Sequence, residues 1–142
     1  MGSAPILPKL SAVLLAACMA DAAQPQTVQE ISGAALVELV SGRTWGLSIY
    51  GTPERPSHTN LFDFRKDRSV CARAVGSKHT DKCADQGKWE VKNNVLCWEL
   101  TWMGAESGLK ASCVSVRQVA GNRFELRSEK TPDLVFAVMQ VM

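Results

Sequence analysis

Downstream of Trp45, apolar and polar residues alternate in short runs separated by turn-forming residues. Trp45-Gly46-Leu47-Ser48-Ile49 alternates, and so does Leu61-Phe62-Asp63-Phe64-Arg65. Between them, GTPERPSHTN (51–60) reads as a loop with two prolines, and KDRS (66–69) turns the chain toward Val70. Successive side chains of a strand point to opposite faces, so such runs predict an antiparallel meander. Upstream the period lengthens. Ile31, Ala35, Leu36, Leu39 and Val40 share one helical face. Thr27 and Glu30 have capping-box spacing, and Gly42 supplies a stop, which predicts a helix over 28–41.

The most informative run is GKWEVKNNVLCWELTW, residues 87–102, which holds three of the four tryptophans. Asn93-Asn94 is a good two-residue hairpin turn, because asparagine tolerates positive φ. A turn centred there opposes Trp89 to Trp98 and Val91 to Leu96. Trp89, Val91, Leu96, Trp98, Leu100 and Trp102 then share one face. Glu90, Lys92, Cys97, Glu99 and Thr101 share the other. The next reversal falls in MGAESG, 103–108, which opposes Cys97 to Cys113 and sets Val114 beside Leu96. Ala120-Gly121-Asn122 reads as a three-residue loop that sets Val116 against Leu126 and Gln118 near Phe124. A last strand runs from Leu134 to Val141. One short helix followed by about eight strands predicts a mainly β fold. Its expected form is a small antiparallel meander barrel, lipocalin-like, or a two-layer sandwich.

The N-terminus adds a compartment. MGSAPILPK carries one positive charge, Lys9, ahead of the apolar LSAVLLAAC, which is too short to be a membrane anchor. Ala20-Asp21-Ala22 has the small-x-small pattern of signal cleavage, which predicts a signal peptide over 1–22 and one β-rich domain over 23–142. Leu15-Ala16-Ala17-Cys18 alternatively reads as a lipobox, with the signal ending before an acylated Cys18. Either route predicts a periplasmic or secreted protein without a transmembrane span, anchored at the outer membrane by lipid in the second case.

Both routes leave four cysteines in the domain, an even number that suggests disulfides. Cys71 and Cys83 are symmetric about Ser77, as Cys97 and Cys113 are about residue 105. Of the three possible connectivities, only Cys71–Cys83 with Cys97–Cys113 makes both bridges local hairpin staples. That is the expected pattern.

Charge and motifs narrow the function further. The chain of 142 residues has a net charge of +2 with signs interspersed, which argues against nucleic acid. Cys71, His79 and Cys83 lack the tight ligand pairs of zinc sites, and disulfide formation is the simpler use of the thiols. No G-x-S-x-G, H-E-x-x-H or glycine-rich phosphate loop is present. Glu90 and Glu99 share a face, but a solvated outer face with Lys88 and Lys92 as partners accounts for them. No catalytic residue, metal or cofactor is therefore expected. The tryptophans carry what remains. Trp45, Trp98 and Trp102 are candidate ligand contacts if the barrel holds a small apolar or stacking ligand, and Trp102 lies at a strand end beside the 103–108 loop. Core filling is the competing role for them. The reading is an exported non-enzymatic binding module for an unknown ligand, its mouth near 51–59 and 103–108. The alternative is a periplasmic or surface interaction or inhibitor protein whose loops contact a protein partner.

SGRTW after the helix, the GKWEV-x-NNVLCWELTW segment, SCVSV and the VAGNRF turn together resemble the domain-of-unknown-function 995 family of small bacterial secreted proteins. The likeness covers roughly residues 36–128, and Cys71 and Cys83 fall outside its pattern. It implies an exported β-rich domain, supports the Cys97–Cys113 pairing and assigns no catalytic residue.

Overall fold

The computed structural model describes residues 1–2, 27–49 and 59–142. Nearly all of the segment expected to be a signal peptide, Cys18 with it, and most of the 51–60 loop lie outside them. Among the described residues there are nine strands and one helix: β1 (Gln29–Ile31), α1 (Gly33–Val40), β2 (Arg43–Ile49), β3 (Asn60–Phe64), β4 (Ser69–Arg73), β5 (Asp85–Lys92), β6 (Val95–Leu100), β7 (Ala111–Ala120), β8 (Arg123–Ser128) and β9 (Val135–Val141). Each strand from β2 to β8 pairs antiparallel with the next in sequence, and a β2–β9 pairing joins the two ends. The result is a closed eight-stranded meander barrel, which decides between barrel and sandwich. No described helix is long and apolar enough to cross a membrane.

The expected hairpin register holds. Trp89 opposes Trp98, Val91 opposes Leu96, and Asn93 and Asn94 take φ of 49° and 64°. Cys97 opposes Cys113, and Leu96 opposes Val114. Val116 meets Leu126 and Gln118 meets Phe124, although the loop at Gly121-Asn122 has two residues rather than three. The irregularity between Gln118 and Ala120 takes up the difference.

Inside, Trp45, Phe62, Phe64, Trp89, Trp98 and Phe124 form the bulk of the core. Trp89 and Trp98 stand edge-on to Phe64, at 5.8 and 6.2 Å between centroids. Trp45 meets Phe124 edge-on at 5.4 Å. Such pairs add about 0.5–1.5 kcal/mol each beyond area burial. Helix α1 adds Leu36 and Val40 to this core, at the barrel end where β2 begins.

The helix begins later than expected. Residues 29–31 are a strand paired with 116–118 of β7, and Ser32 occupies the N-cap without a side-chain bond. The cause is the length of β7. Strand β6 pairs only with 111–114, so the next stretch of that edge would be left without ladder partners. β1 lies in line with β6 and supplies them, and backbone satisfaction outweighs a local capping signal. Helix termination matches expectation, since Gly42 takes φ +73°, a conformation that favours glycine.

Both disulfides are present, Cys71–Cys83 and Cys97–Cys113. The first forms for a different reason than hairpin symmetry. Cys71 lies opposite Gln86 in the β4–β5 ladder, and Cys83 belongs to the 74–84 connection folded back over β4. That bridge therefore ties a loop to the barrel wall. The same loop is held by Arg73, which donates from Nε to Asp81 O at 2.7 Å and from Nη1 to Asp63 Oδ2 at 2.7 Å.

Candidate functional site

The meander sorts its connections between two barrel ends. Residues 65–68, 93–94 and 121–122 lie at the helix end, and 74–84, 101–110 and 129–134 at the other. The second set carries the candidate site. At its centre is Asp85, the first residue of β5, which shares the inner face with Trp89. Its carboxylate accepts from the N–H groups of Gln86 (2.7 Å), Thr101 (3.1 Å), Trp102 (2.8 Å) and Met103 (2.8 Å). The Thr101 hydroxyl donates to it as well. Burial by itself pushes the Asp85 pKa up. The hydrogen bonds from Met103, Thr101, Trp102 and Gln86 overcome that and lower it from 3.8 to about 2.

These bonds explain why β6 stops at Leu100. Three successive amides turn toward one side chain, so they cannot continue a ladder. The loop beyond is held from inside too. Met103 and Leu109 are buried in the core, and Trp98 Nε1 donates to Leu109 O at 2.6 Å. Gly104 sits at φ +75°, and a Cβ there would fall 2.4 Å from Leu109 Cβ. Between Thr101 and Met103, whose N–H groups both donate to Asp85, Trp102 points outward.

The expected trio of tryptophans is thus divided. Trp45 and Trp98 are core residues at 0% and 3% exposure, whereas the Trp102 indole is 61% exposed. Trp102 has company. Val75 and Leu134, in the two flanking connections at this end, are 53% and 64% exposed. Three described loops of this end therefore each carry one exposed large apolar residue. Asp85 is the residue that sequence reasoning passed over. Its signal was parity: an acid two steps from Gly87 and four from Trp89 must face inward, where it needs donors.

The outer face of β5, β6 and β7 forms a second feature, an open groove of about 1250 Å³. Lys88, Glu90 and Glu99 line it, along with the Cys97–Cys113 bridge. Both glutamates are exposed, as a solvated face requires. The thiols of Cys71 and Cys83 are consumed in their bridge. No family model matches this chain, and neither the curated proteins nor the solved structures contain a match to it.

Proposed function

We propose that this chain is an exported, non-catalytic interaction module that binds a protein partner through the barrel end bearing Trp102. The carrying observation is an indole 61% exposed on a loop fixed by the Asp85 carboxylate. Tryptophan is enriched among binding hot spots, and a fixed backbone lowers the entropy lost on association. Val75 and Leu134 are also exposed, on two other connections at this end. Two disulfides are compatible with an oxidising compartment outside the cytoplasm.

The test is retention of partners from a periplasmic extract by immobilised wild type and variants. Trp102→Ala loses the retained protein, and Glu99→Gln, in the outer groove, keeps it. Equal retention by wild type and Trp102→Ala rejects the reading. A ligand inside the barrel is the second reading, favoured by Trp45 Nε1, a buried donor with no acceptor among the described residues. Fluorescence separates the two. A ligand in the barrel changes the blue emission of buried indoles, and a partner on the loops changes the redder emission of Trp102.

A further inference from the structure

At the helix end, the strand start of β2 and the strand exit of β3 enclose a small depression of about 250 Å³. Arg43, Arg65 and Lys66 all line it, with Thr44, Asp63 and Gly42. Three cations in one depression need acids nearby, and the acids here are committed elsewhere. Asp63 accepts from Arg73 Nη1 and from Thr44 Oγ1, both at 2.7 Å. Asp67, the other acid of this turn, accepts from the Ser69 N–H and hydroxyl at 2.9 and 2.6 Å. Those bonds hold its carboxyl below the usual range, with the nearby Arg65 assisting. Arg68 in the same turn lies 4.4 Å over the Trp89 ring. Among the described residues none of Arg43, Arg65 and Lys66 takes part in an ion pair. The whole chain carries a net charge of only +2, so this concentration is local.

The cations are also placed. The left-handed Gly42 lets Lys66 pack across it, since a Cβ there would lie 3.1 Å from Lys66 Cε. Arg65 Nη2 reaches Cys83 Sγ at 3.5 Å, which leans its guanidinium on the disulfide-tethered loop. The space holds a tetrahedral oxyanion with a few waters, at about 30 Å³ per water. Guanidinium and ammonium donors on the rim of one depression suit a phosphate better than a planar carboxylate, because a phosphate offers more oxygens and about two charges.

We propose that Arg43, Arg65 and Lys66 form a phosphate-binding site at the closed end of the barrel, for a phosphorylated small molecule or a phospholipid headgroup. The test titrates inorganic phosphate into the folded protein at constant ionic strength, read by amide NMR shifts of Gly42, Thr44 and Lys66. Saturable shifts at those amides are expected. The Arg65→Gln/Lys66→Gln variant weakens them by at least about tenfold, the effect of losing charged hydrogen bonds. Arg123→Gln leaves them unchanged. An unaltered melting temperature shows that the double variant is folded. Vesicles of phosphatidylcholine with added phosphatidic acid separate the sources. Vesicle binding that the double variant loses assigns the phosphate to a headgroup. Saturation by inorganic phosphate without vesicle binding assigns it to a soluble ligand. Neither response, or responses that the double variant retains, overturns the site.

Discussion

The two ends of this barrel are finished in different ways. At the helix end the connections are short, and each of the three contains positive φ: Arg68 in one, Asn93 and Asn94 in another, Gly121 in the third. Leu36 and Val40 fill the opening behind them, and the surface that remains is dominated by cations. At the loop end the connections are longer and carry exposed Val75, Trp102 and Leu134. A short turn is specified by its own backbone preferences. A longer loop is not, and here a buried carboxylate and two inward side chains hold it. Order at one end is local, and at the other it is imposed by tertiary contacts.

The widest separation between the ends is expected from two tryptophans only four residues apart. Trp98→Ala empties core volume against Phe62 and Phe64 and removes the Nε1 bond to Leu109 O. Its expected cost is about 3–5 kcal/mol, read from urea unfolding. Next come the bridges. Removing Cys97–Cys113 by paired serine substitutions costs about 2–3 kcal/mol, and removing Cys71–Cys83 a similar amount, given loops of this size. The second pair also frees the 74–84 loop, so proteolysis should begin there. If cutting began first in the 101–110 loop instead, the ranking of the tethers would be wrong.

Asp85 tests whether the loop end truly depends on one side chain. Asp85→Asn replaces two acceptor oxygens by one and sets an amide among N–H donors, at a cost of about 2 kcal/mol. The pH dependence has a fixed sign. The folded pKa, about 2, lies below the ordinary carboxylate value of 3.8, so the charged form favours the folded state. This stabilisation is complete above about pH 4 and is lost as pH falls toward 2. A fall from 3.8 to about 2 contributes no more than about 2.5 kcal/mol. Unfolding curves between pH 5 and 2 should be steeper for wild type than for Asp85→Asn. Equal slopes would show that other acids set the acid limb.

These contrasts explain what could be read in advance. Hairpin register was legible because Asn93-Asn94 fixes both the turn and the parity of every residue from 87 to 100. The Cys97–Cys113 bridge followed from the same arithmetic. The end of β6 was not legible, since it depends on Asp85, sixteen residues before Thr101 in the chain. Parity extended through Trp102 for that reason, although the strand stops two residues earlier. The helix start failed in the same way. Thr27 and Glu30 carry a genuine local signal, but it competes with the open edge of β7, visible only once β6 has ended. Of the candidate site, residue types were readable; which indole reaches solvent was settled by a contact between distant segments.

The smallest expected effect on stability is the most telling one for function. Trp102→Ala removes a large apolar side chain, yet most of that indole is already in water. The bonds that hold the loop run through backbone N–H groups, which the substitution keeps. Stability should therefore change by less than about 0.5 kcal/mol, as for surface positions away from packed features. The same variant should lose the emission component accessible to acrylamide, because the other three indoles are buried. A protein that keeps its full stability without Trp102 has no structural use for an indole in solvent. A loss of 2 kcal/mol or more, well beyond the surface range, would make Trp102 part of the scaffold and remove the main reason for placing recognition at this end.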